Sequence, residues 1–140
     1  MAYKVHAGPV ELPNPLIEEG TASAAFLPGA IVEKTSGEFA GGDAATVGVL
    51  YIAKEKGPGE GGHIEDAFAI GDHVDAYRAR QGLFFRVRLP TGVAVVEGET
   101  LLERGASGRL VALSAGVAVA VARESVTTTA NDQLVLVEVL

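Results

Sequence analysis

His63, Glu65, Asp66, Asp72 and His73 are the local set in this sequence whose side chains could ligate a metal. Two imidazoles with carboxylates are the ligands of zinc or a non-haem metal, but the spacing matches no ligand pattern. Gly71-Asp72 already reads as the turn before a strand, so a solvated acidic loop is expected and no metal. The run Gly57-x-Gly59-x-Gly61-Gly62 has the look of a phosphate cradle. Such cradles need a helix N-terminus after the glycines. Here His63-Ile64-Glu65-Asp66 follow and put negative charge where a phosphate would sit. A flexible strand connection is expected instead. Ser23, Ser36, Ser107, Ser114 and Ser125 fall in turns or small-residue runs, outside any Gly-x-Ser-x-Gly, and the three histidines offer no triad order. No catalytic residue and no cofactor is expected, and the chain does not read as an enzyme.

The basic residues say more. Arg78, Arg80, Arg86 and Arg88, four of the 11 lysines and arginines, crowd into one stretch around Gln81-Gly82. Side chains alternate faces along a strand, so Arg78 and Arg80 share a face, as do Arg86 and Arg88. A three-residue loop, Gln81-Gly82-Leu83, would set Arg80 opposite Phe84 and Arg78 opposite Arg86. That register makes one apolar face (Tyr77, Ala79, Phe85, Val87) and one basic face, and it is the predicted one. Four guanidinium groups on one face must meet carboxylates, either within the subunit or on an acidic partner or sister subunit.

The elements that must position these groups follow from composition. The chain has 140 residues, a single domain's length. It carries 18 Gly and 6 Pro against 6% aromatic residues, which suits short strands and many turns rather than long helices. The net charge of −7 argues against nucleic acid, whose phosphates call for Lys and Arg. Cysteine is absent, so there is no disulfide framework or thiolate chemistry. No apolar run approaches the ~18 residues of a membrane helix, and no secretory leader pattern is present. A soluble all-β chain is expected: a compact barrel- or sandwich-like domain of hairpins with at most one short helix.

Residues 1–26 read as an extended N-terminal arm and 27–140 as one β domain. Pro9, Pro13, Pro15 and Gly20 interrupt every candidate element of the arm. Its apolar residues Val5, Val10, Leu12, Leu16 and Ile17 must find burial on their own domain or on a neighbouring subunit. Beyond it, three hairpins are predicted, turning at Ser36-Gly37, Gln81-Gly82 and Ser107-Gly108. Val47–Ala53 and Val117–Ala122 follow the first and third as strands, about 70 positions apart, which points to an internal duplication. In the second of these the valines are expected to face the core, with the alanines as a close-approach stripe. Gln133–Leu140 is expected to close the sheet.

The order of these phrases resembles the head decoration, or capsid cement, proteins of tailed bacteriophages. The matching phrases are Leu27-Pro28-Gly29-Ala30-Ile31-Val32-Glu33, Ala69-Ile70-Gly71-Asp72-His73-Val74, Val96-Glu97-Gly98-Glu99-Thr100-Leu101-Leu102-Glu103, Gly116-Val117-Ala118-Val119-Ala120 and Leu134-Val135-Leu136-Val137-Glu138-Val139. The resemblance implies a β-rich virion protein on the outer capsid surface, made in the host cytoplasm, that bridges neighbouring major capsid proteins. It implies a dimer or trimer and no nucleic acid, membrane or cofactor. The interface would use Val5, Val10, Leu12, Leu16, Ile17, Arg78, Arg80, Arg86 and Arg88. The rival reading is a small β-barrel ligand- or carbohydrate-binding module. Against it, the hairpin tips lack the lysine of biotinyl and lipoyl carriers, and the chain has no Trp.

Overall fold

The computed structural model describes residues 4–9, 12, 14–57 and 63–140. The chain is all-β. Among the described residues its strands are β1 (His6–Gly8), β2 (Ile17–Ala22), β3 (Ile31–Thr35), β4 (Glu38–Gly41), β5 (Tyr51–Ala53), β6 (His73–Arg78), β7 (Phe84–Leu89), β8 (Ala94–Val95), β9 (Leu101–Arg104), β10 (Leu110–Ala112), β11 (Ala120–Ala122), β12 (Val126–Thr127) and β13 (Gln133–Val139), with a 3-10 turn at Ala106–Gly108. Five strands close a barrel in the order β2-β4-β3-β5-β6. Six form an open sheet, β1-β7-β13-β11-β9-β10, and β8 pairs with β12 alone.

The first and third predicted hairpins form. Ser36 and Gly37 both take positive φ (52° and 80°), the paired left-handed geometry that matches the twist of β3 and β4. β9 and β10 pair across the turn that holds Ser107 and Gly108, at φ 58° and 73°. The second hairpin does not form. Gly82 supplies a tight turn (φ 90°, Leu83 N–H to the Arg80 carbonyl at 3.2 Å), but β6 pairs with β2 and β5 while β7 pairs with β1 and β13. The turn carries the chain from the barrel to the open sheet. A glycine turn reverses the chain without dictating which sheet receives the returning strand.

That seam divides two copies of one topology. In the first copy β3 lies between β4 and β5, and β5 lies beside β6. In the second β9 lies between β10 and β11, and β11 beside β13. The registers correspond. Val32 faces Gly41 as Leu102 faces Ala112, Ile31 faces Ile52 as Leu101 faces Val121, and Tyr51 faces Arg78 as Ala120 faces Val139. The duplication read in the sequence therefore extends to strand order and register. The copies differ at one edge: β2 runs parallel to β4 and closes the barrel, whereas its counterpart β7 has β1 as its outer neighbour.

Alternation along the barrel strands builds two cores. Ala22, Val32, Phe39, Ala53, Val74 and Ala76 fill the barrel. The intervening residues Ile31, Ile52 and Tyr77 stand in one cross-strand row on the outside, where they join the core of the open sheet with Phe85, Val87, Leu102, Leu110 and Val137. Each fully buried side chain of this size stabilises by about 1.5–3 kcal/mol relative to exposure. Along the Val117–Ala122 run the expected faces are exchanged: Ala120 and Ala122, on β11, are buried, Val119 and Val121 are part-buried, and Val117, before the strand, is exposed. Ala120 sits between Leu102 and Val139 across the sheet, so large neighbours already occupy the space a valine would need.

The expected arm is built into the domain. Val5 is fully buried, β1 extends the open sheet and β2 is a barrel strand. The 1–26 boundary therefore cuts through folded structure. The reason is physical: β2 alternates exposed and part-buried positions until Ala22, and its backbone groups are satisfied by β6 on one side and β4 on the other.

Candidate functional site

The four arginines do not share a face. Arg88 is 3% exposed and ties three separate segments together. Its Nε donates to the Pro28 carbonyl (2.8 Å), Nη2 to the Ile64 carbonyl (2.7 Å), and Nη1 to the Asp132 carbonyl (2.8 Å) and Glu65 Oε1 (3.1 Å). A guanidinium can be buried here because a fork of donors meets a ring of acceptors. Arg86 Nη1 donates to the Lys4 carbonyl at 2.9 Å, which fastens the segment before β1. Arg78 Nε lies 3.2 Å from Glu18 Oε2, and Arg80 is exposed at the seam turn. The expected basic face is thereby dispersed, with Arg78, Arg86 and Arg88 in structural contacts and Arg80 exposed at the turn, because its two strands lie in different sheets.

Glu18, paired with Ala76 and on the same side of β2 as Ala22, anchors a polar cluster at one mouth of the barrel. It receives Lys34 Nζ at 3.1 Å, Tyr51 Oη at 3.0 Å and Arg78. Burial alone would raise its carboxyl, but the hydrogen bonds from Lys34 and Tyr51 and the charges of Lys34 and Arg78 outweigh that and hold it below the usual range. Tyr77 lies deeper. Burial first, then the negative charges of Glu55 and Asp75, push its phenol far above the ordinary tyrosine value. Glu55 is itself buried: Oε2 accepts the Val5 N–H at 3.0 Å, while Oε1 has no hydrogen-bond partner among the described residues.

The acidic loop residues take local structural roles. Asp72 Oδ2 accepts from the Ala69 N–H (2.8 Å) and Lys56 Nζ (3.2 Å), and those hydrogen bonds hold its carboxyl below the usual range. Asp66 accepts the His63 N–H, His63 Nδ1 accepts the Glu65 N–H, and Glu65 meets Arg88. His73 instead turns to the barrel face, where Nε2 lies 3.0 Å from Asp75 Oδ1 and 3.4 Å from Glu19 Oε1. That cross-strand arrangement sets an imidazole between two carboxylates that face each other in register. The glycine-rich stretch 58–62 lies outside the described residues.

Of the apolar arm residues, Val5 is buried within the chain's own core, and Val10 lies outside the described residues. Leu12, Leu16 and Ile17 are exposed at 38%, 61% and 47%. Leu12 shares a small hollow with Arg80, Gln81 and Leu83, and the Leu16 carbonyl accepts the Arg78 N–H. The exposed part of the predicted interface is therefore Leu12, Leu16 and Ile17 beside Arg78 and Arg80, with Arg86 part-buried. Sequence reasoning missed two more exposed residues, Val47 and Val117, because it assigned both to strands. Gly48, at φ 88°, was the available sign that the chain turns there.

No protein-family model matches the chain, and no curated protein matches it. Among solved structures, the chain is similar to the N base of the head fiber protein gp8.5 of bacteriophage phi29. The likeness has a TM-score of 0.61 at 14% sequence identity and covers 89% of this chain and 93% of that one. The shared feature is the fold, over nearly the whole of both chains.

Proposed function

We propose that this chain is a structural protein of a tailed-phage virion, attached to the outer surface of the head and stabilising it by bridging neighbouring shell subunits. The single observation that carries the reading is the match in fold to the base of a phage head fiber, over 89% of the chain. The order of turn-and-strand phrases, which resembles capsid decoration proteins, supports it independently. In this reading the major capsid protein is the partner, a dimer or trimer is the working unit, and no reaction is catalysed. Repetition over many shell positions lets modest contacts sum to strong reinforcement.

The test is co-sedimentation of the purified chain with heads made without it, together with the temperature at which decorated and bare heads release DNA. Saturable binding and a higher release temperature are expected. Failure to sediment with heads, accompanied by specific binding on a glycan array, would replace this reading with the ligand-binding module.

A further inference from the structure

The duplication reaches beyond the strands into two loops. Glu33 on β3 and Glu103 on β9 hold corresponding positions, and each turns its carboxylate onto the loop after its hairpin. Glu33 Oε2 accepts from Thr46 Oγ1 at 2.9 Å, and Glu103 Oε2 accepts from the Gly116 N–H at 2.6 Å. Thr46 and Gly116 are themselves about 70 positions apart, and a valine follows each. Val47 is 85% exposed and Val117 79% exposed.

The first loop is held further. Arg104 donates to the carbonyls of Thr46, Gly48 and Val49 at 3.1, 3.0 and 3.3 Å, and Asp43 Oδ1 accepts the Ala45 N–H at 2.8 Å. Both valines line one open groove of about 470 Å³. Scattered exposed apolar residues are ordinary on any protein. Two at matched positions, each next to a residue held by a matched carboxylate and both facing one groove, are a built feature. A β-branched side chain on a clamped loop also has little freedom to lose on contact.

We infer that Val47 and Val117 form a paired apolar contact that seats on another protein, at a recess bordered by lysine or arginine. Charge selects that occupant. Glu103 and Arg104 line the groove, Arg104 with its donors turned to the first loop's carbonyls, and Asp43 and Glu33 stand beside that loop, so acid outnumbers base around the groove in a chain of net charge −7. A second copy would bring like charge against like, whereas a basic rim complements it. The inference deepens the reading above, with the head shell as the other protein.

Val47→Ser, Val117→Ser and the double variant test it, with Ile70→Ser, at an equally exposed position (75%), as the control. All four should melt as the wild type does. In co-sedimentation with bare heads the double variant should bind about tenfold more weakly or worse, the control should bind normally, and added salt should weaken the wild type. Wild-type binding that the double variant retains in full overturns this inference and leaves the head reading standing. A wild-type dimer in sedimentation equilibrium that the double variant loses also overturns it, and makes a second copy the occupant. Wild type that ignores heads removes both.

Discussion

Arg109 grips the carboxylate of Asp132 with Nε at 2.7 Å and Nη2 at 3.3 Å, while the carbonyl of the same aspartate accepts from Arg88. Asp132 holds this double role at φ 63°, a left-handed conformation that Asp and Asn tolerate better than most residues. The pair draws the turn before β13 onto the chain at Pro28, through Arg88.

Arg88→Ala should therefore be costly. It strips donors from three carbonyls and leaves buried acceptors unpaired, so a loss of roughly 3 kcal/mol or more is expected in denaturant unfolding. Arg88→Lys keeps the charge but lacks the fork, and should recover only part of the loss. An Arg88→Ala protein as stable as wild type would refute the assignment of this residue as a joint.

Gly20→Ala tests barrel closure. A Cβ there would lie 2.6 Å from the Gly37 carbonyl oxygen and 2.9 Å from the Phe39 ring, where β2 meets β4. Overpacking of this kind costs about 1–3 kcal/mol. Gly57→Ala, with open space around its Cβ, serves as the comparison.

Tyr77 predicts an alkaline limit. Its folded pKa lies above the ordinary value of 10.0, so above pH 10 the unfolded chain loses a proton that the folded chain retains. Stability from this group is complete below pH 10 and falls as pH rises past it. Tyr77→Phe should flatten that fall in unfolding curves measured from pH 8 upward. An unchanged slope would assign the effect elsewhere.

Deletion of residues 2–20 should abolish the fold, because it removes β1 and most of β2. Leu16→Ser with Ile17→Ser touches the exposed face of the same segment and should leave stability within about 0.5 kcal/mol. Circular dichroism and thermal melting separate the two. A folded 2–20 deletion would return this segment to the status of a detachable arm.

Much of this architecture is legible in the residues. Ser36-Gly37 marks a turn whose strands are sequence neighbours, and the alternation of Gln133–Val139 marks a strand with one buried face. The offset of about 70 residues between Val47 and Val117 marks the duplication. What escaped is whatever depends on distant partners. Gln81-Gly82 carries the same turn chemistry as a hairpin, but β6 and β7 each find longer-range neighbours. The Val-Ala run before residue 122 alternates perfectly, yet Leu102 and Val139 decide which face goes inward. Arg88 reads as a surface charge in a basic cluster, and only the convergence of carbonyls from three remote segments makes burial tolerable.

The five strands of the barrel all lie within residues 17–78, whereas the open sheet needs β13, one of its two middle strands, from residues 133–139. On a ribosome the barrel can consequently close while most of the open sheet is still unmade. During that interval Ile31, Ile52 and Tyr77 stand on its outer wall without their partners, and the nascent chain waits with one sticky side.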